Sequence, residues 1–104
     1  MLLIDVLPRV AAELQALLIA AERAELVSQV QGLKIVDRCR CGDDFCASFY
    51  TQPKPTGSYG PNHECLELEP AEGMLILDIA NGLIAHVEVL YRDDVRKDLA
   101  TILP

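Results

Sequence analysis

The chain has no tryptophan, and aromatic residues make up only 5% of its 104 residues. A stacking platform for single-stranded nucleic acid needs aromatic faces, so that class is disfavoured. Cations are scarce too: 9 Lys and Arg stand against 16 Asp and Glu, giving a net charge of -7. Phosphate backbones are bound by Lys and Arg, which argues against nucleic acid as a direct ligand. Long hydrophobic runs are missing, and nothing approaches the ~20 apolar residues of a membrane-spanning helix. The opening MLLIDVLPRV lacks a basic start and is interrupted by Asp5, Pro8 and Arg9, unlike a secretory signal. There is no phosphate-cradling glycine loop, since Gly57 and Gly60 lie in a proline-rich stretch rather than between a strand and a helix. Four cysteines are too few for a disulfide scaffold. They read as reduced thiols or metal ligands of a cytoplasmic protein.

What is present is apolar and periodic. Hydrophobic residues reach 51%, enough for a core, and the length suits one domain spanning residues 1–104. Over residues 8–31, Val10, Leu14, Leu17, Leu18 and Ala21 recur at helical spacing, Pro8 suits a first turn, and Gly32 suits a stop. From Leu33 the period drops to two. Leu33, Ile35, Asp37, Cys39 and Cys41 alternate with Lys34, Val36, Arg38 and Arg40, then Gly42-Asp43-Asp44 offers turn chemistry and Phe45–Thr51 a returning strand. With a two- or four-residue loop, that hairpin sets Cys41 opposite Cys46. Residues 51–63 form a proline- and glycine-bearing loop, functional or mobile at this length, and 64–69 an edge strand with Cys65 turned away from Leu66 and Leu68. The segment MLILDIA-NG-LIAHVEVL is a type I′ hairpin. The tail from Asp93 suits a short helix with Val95, Leu99 and Ile102 inward. The expected fold is α+β: an N-terminal helix, a roughly four-stranded antiparallel sheet built from two hairpins, and a short C-terminal helix.

Uninterrupted alternation through the second hairpin puts Met74, Ile76, Asp78, Ala80, Leu83, Ala85, Val87 and Val89 on one face. Leu75, Leu77, Ile79, Ile84, His86, Glu88 and Leu90 fall on the other. Both faces are then largely apolar, with one long helix and one short one to cover them. The alternative to an open face is that the C-terminal helix folds back across it and closes the core within one chain. Leu75, Leu77, Ile79 and Ile84 are expected to stay partly open and to recruit a second copy or a partner.

Charge supplies the partner's chemistry. Between Cys41 and Tyr91 lie Asp43, Asp44, Glu64, Glu67, Glu69, Glu72, Asp78 and Glu88 against the single base Lys54, and the flanks cancel. The one-sided field attracts a basic protein. Asp43, Asp44, Glu64, Glu67, Glu69, Leu77 and His86 are the candidate partner-binding residues.

Two chemical alternatives use the cysteines. Cys39, Cys41, Cys46 and Cys65 could hold zinc, which takes four soft ligands tetrahedrally, although the C-x-C spacing is not that of a zinc knuckle. Without it, no cofactor is expected. A nucleophilic Cys46 or Cys65 with His63 or His86 as base would need a depressed thiol pKa, which the neighbouring acids oppose. Asp78, on an apolar strand, needs a partner such as Arg38, Arg40 or a backbone donor if buried.

The run CRCGDDFCASFYT at residues 39–51 resembles a stretch of short bacterial proteins of unknown function. The closing MLILDIANGLIAHVEVL resembles the terminal hairpin of other small uncharacterised bacterial domains. In size and charge the chain is similar to immunity proteins of bacterial toxin systems. That likeness implies a non-enzymatic inhibitor that binds a basic protein, and it transfers no site residues.

Overall fold

A computed structural model describes all residues from Met1 to Pro104. Four helices and five strands follow the chain: α1 (Leu3–Val6), α2 (Pro8–Ala20), α3 (Ala24–Val27), β1 (Asp37–Arg38), β2 (Phe49–Tyr50), β3 (His63–Leu68), β4 (Met74–Ala80), β5 (Leu83–Leu90) and α4 (Asp93–Ile102), with a 3₁₀ turn at Val30–Gly32. The strands form one antiparallel sheet in the order β1-β2-β5-β4-β3. The fold is α+β, with five strands. No helix is long and apolar enough to cross a membrane.

The expected helix over 8–31 is broken into three pieces. Glu22 takes φ 58° just after α2. Its N–H bonds Ile19 O, and the Arg23 N–H bonds Leu18 O, both at 3.0 Å. These are the paired bonds of a Schellman stop, made here with a glutamate where glycine is usual. The apolar stripe drifts at the same place, because the chain reverses so that Leu26 and Val30 can also reach the core. Before α2, Leu2 bridges to Lys34, so the N-terminus is tied in as well. In α4, the residue preceding the helix is Arg92, with no side-chain cap, and Val95 and Leu99 are buried.

The β4–β5 hairpin turns at Asn81 (φ 53°) and Gly82 (φ 81°), the left-handed pair that a type I′ turn requires. Ala80 faces Leu83 and Ile79 faces Ile84, but Asp78 then faces His86 rather than Ala85. Ala85 is an extra residue, a β-bulge. Its carbonyl accepts from the N–H groups of Thr51 (2.9 Å) and Gln52 (3.2 Å), and the Thr51 hydroxyl donates to Ile84 O at 2.8 Å. The bulge reverses the facing of every β5 residue beyond it.

Two expectations change in consequence. Leu75, Leu77, Ile79, Ile84, Val87 and Val89 share the helix-covered face and are at most 2% exposed. They are the centre of the core, together with Leu3, Leu14, Leu18, Leu26, Phe49 and Leu99. Leu77 is therefore sealed in the core, and the four side chains expected to stay partly open and to recruit a second copy or a partner are covered within the chain itself. His86 and Glu88 move to the opposite face with Asp78, where Met74, Ile76, Ala80 and Leu90 are half-buried.

Before β4, Gly73 has φ +65°, and a Cβ there would lie 2.3 Å from Leu90 O. Only glycine allows that approach of β4 to the end of β5.

Candidate functional site

The β1–β2 hairpin is minimal. Asp37 pairs with Tyr50 and Arg38 with Phe49, and Cys39 N–H adds one bond to Ser48 O at 2.8 Å. Continued by that register, Cys41 comes opposite Cys46 around the turn Gly42–Phe45. Gly42 (φ +84°) opens the turn, and Cys46 N–H closes it on Asp43 O at 3.2 Å. The result gathers three thiols: the Sγ atoms of Cys39, Cys41 and Cys46 all lie within 4.8 Å of one another. No other group of His, Cys, Asp or Glu side chains brings three donor atoms together so closely.

The thiols border a pocket of about 350 Å³ that Arg38, Arg40, Arg96, Asp43 and Asp44 also line. The Nε atoms of Arg38 and Arg96 are buried and have no hydrogen-bond partner; that of Arg96 sits 3.8 Å from Asp93 Oδ1 as an ion pair. The three thiols are not equivalent. Burial pushes Cys39 up to about 11. Burial also opposes ionisation of Cys46, but the Ser48 hydroxyl 3.3 Å away, the Ser48 backbone and the two neighbouring thiols outweigh it and hold Cys46 below its ordinary value.

The fourth candidate ligand is elsewhere. Cys65 lies on β3, opposite Asp78, at the far edge of the sheet from β1. Four strand spacings of ~4.8 Å separate the two edges. The four-cysteine zinc set is thus reduced to Cys39, Cys41 and Cys46.

A second cluster, on the open face, is not legible in the sequence as a unit. Asp78 takes His63 Nε2 at 2.8 Å on one oxygen and His86 Nδ1 at 3.1 Å on the other. Neither Arg38 nor Arg40, expected as its partner, reaches it. Tyr50 tilts against His86 (4.6 Å between centroids) and Tyr59 against His63 (4.9 Å). Asp37, Tyr50, His86, Asp78 and Cys65 form one row across all five strands. The bulge at Ala85 puts His86 into that row, and no residue type in the sequence announces it.

No hydrogen bond joins Cys46 or Cys65 to either histidine: each imidazole bonds Asp78 through one nitrogen, His86 Nε2 is buried without a partner, and Cys46 bonds Ser48, so none of the four expected Cys–His pairs is a hydrogen-bonded dyad. Burial and then the charges of Asp78, Glu88 and Glu67 push the Cys65 thiol up, which disfavours its thiolate.

The acidic candidates are dispersed. Asp43 and Asp44 are exposed in the thiol-bearing turn. Glu64 is held by Arg23 through two bonds, of 2.7 and 2.8 Å. Glu67 and Glu69 are exposed on and just after β3. No protein-family model matches the chain, and neither a curated protein nor a solved structure matches it.

Proposed function

We propose that this chain is a non-enzymatic metal-binding module of a reducing, cytoplasmic environment, holding a thiophilic divalent cation of the zinc class on Cys39, Cys41 and Cys46. The observation that carries this reading is the convergence of the three Sγ atoms within 4.8 Å. Thiolates around one zinc ion at ~2.3 Å stand about 3.8 Å apart, so a closing movement of roughly an ångström suffices. Three thiolates and a divalent cation leave one net negative charge, which the guanidinium groups of Arg38, Arg40 and Arg96 around the pocket offset. The fourth position falls to water or to a carboxylate of the same turn, Asp43 or Asp44. When bound, the ion ties together a hairpin whose strands are 2 residues each.

Metal analysis of the reduced, purified protein tests it. One equivalent of zinc is expected in the parent chain and in Cys65→Ser, and none in Cys41→Ser. Metal-free protein that takes up no zinc at micromolar concentration, or uptake indifferent to Cys41→Ser, refutes it.

A second reading, an acidic module that binds a basic protein as an inhibitor or immunity protein does, is favoured by one observation. Glu67 and Glu69 are exposed and form no ion pair in the structure. Salt-dependent association with basic polypeptides is its minimal requirement.

A further inference from the structure

The acidic-module reading extends to a defined surface at one edge of the sheet, and a docking site there rests on that reading rather than on the metal centre. β3 is an edge of the sheet, and its six residues are long enough to template another strand. Its register fixes which backbone groups are free. Asn81 N–H bonds Asn62 O at 3.0 Å, and β3 continues that pairing against β4 with Glu64 opposite Ile79 and Leu66 opposite Leu77. Hydrogen bonding alternates along an antiparallel ladder. Glu64, Leu66 and Leu68 therefore bond inward to β4, while His63, Cys65 and Glu67 point their N–H and C=O groups outward.

Beside this edge, on the helix side, is an apolar notch of about 330 Å³ lined by Leu17, Ala20 and Ala21 of the α2 end together with Leu68, Glu67 and Glu69. A strand added to β3 would have its alternate side chains on two unlike surfaces. Those beside Leu66 and Leu68 face the notch. Those beside Cys65 and Glu67 lie on the open face, where Glu67 is unpaired, and the equally unpaired Glu69 stands just beyond the strand at the rim of the notch.

We infer that the β3 edge is a docking site for an extended segment of a partner protein in which apolar residues alternate with Lys or Arg, bound by β-augmentation. In that mode the main chain supplies affinity and the alternating side-chain pockets supply selectivity. A second copy is the competing occupant: antiparallel self-pairing through the outward groups, centred on Cys65, sets His63 against Glu67 and Glu64 against Leu66. It brings no lysine or arginine to the unpaired acids, and dimerisation is read separately in the test.

The test uses the full-length protein and three synthetic heptapeptides: alternating valine and lysine, alternating valine and glutamate, and a glycine–lysine peptide with the lysines at the same positions. Amide exchange is read at His63, Cys65 and Glu67. In the free protein these three amides should exchange much faster than those of Glu64 and Leu66. The valine–lysine peptide should slow them at least about tenfold, and Glu67→Lys with Glu69→Lys should weaken its binding by about tenfold or more. Protected edge amides in the free protein, equal binding of the valine–glutamate peptide, or protection arising from dimerisation each overturn the inference. Binding of both lysine peptides with no change at the three amides overturns the edge site but keeps the acidic-module reading. Binding of neither overturns both.

Discussion

The β4–β5 hairpin pairs strands of 7 and 8 residues and buries six large aliphatic side chains to 2% exposure or less. The β1–β2 hairpin pairs 2 residues with 2, and Cys41, Gly42, Asp43 and Asp44 beyond it are exposed. One hairpin is held by apolar burial along its whole length. The other has almost no ladder, yet it carries the only convergent set of soft ligands. Stability and chemistry are thus placed in different parts of one sheet, joined where β2 lies along β5. A weakly paired hairpin gains most from an external tie, because a cation adds binding free energy where the chain has few contacts of its own.

Substitutions can break this contrast. The largest expected effect is in the buried hairpin: Leu77→Ala should cost about 2–5 kcal/mol in denaturant unfolding, through lost burial and a residual cavity. Gly73→Ala should follow at roughly 1–3 kcal/mol, since the added Cβ meets Leu90 O at 2.3 Å and φ is +65°. Asp78→Asn should come next, at about 1 kcal/mol, because its two charge-assisted bonds to His63 and His86 are partly solvent-screened. In metal-free protein, Cys41→Ser should be nearly silent, within about 0.5 kcal/mol, as befits an exposed side chain in a turn. A large cost of Cys41→Ser in the absence of metal would erase the distinction between the hairpins.

Proton competition sharpens the same contrast. Each thiol must lose its proton to ligate, so zinc affinity should rise with pH and fall as acid is added. Cys39, pushed up to about 11 by burial, retains its proton most strongly through the neutral range, so protons should be released on binding at pH 7. Titration in two buffers of different ionisation enthalpy measures that release. An affinity unchanged between pH 6 and 8 contradicts thiolate ligation.

Much of the architecture is legible in the sequence because local signals and burial agree. Asn81-Gly82 marks a turn that only left-handed residues fill, and Val95 with Leu99 marks the buried stripe of α4. The facing of the cysteines across Gly42–Phe45 is equally readable, because turn length fixes register. Two features are not. The stop of α2 uses Glu22 in a left-handed conformation where composition gives no glycine to flag it. Ala85, an ordinary small apolar residue, is accommodated as a bulge because the chain just after β2 offers the Thr51 and Gln52 N–H groups to its carbonyl. That one residue decides that Leu77 is core and that His86 meets Asp78. A strict period of two cannot report an extra residue, so the apparent second apolar face is a consequence of counting through it.

On the proposed function, a cation rather than strand pairing secures the β1–β2 hairpin. Amide hydrogen exchange of the reduced full-length chain, with and without one equivalent of zinc, tests this directly. The amides of Cys39 and Cys46, which bond Ser48 O and Asp43 O, should exchange quickly in the metal-free protein and slow by about tenfold or more with zinc, while those of Leu75 and Val87 stay slow in both. Hairpin amides that are equally protected without zinc, or unmoved by it, would contradict the claim.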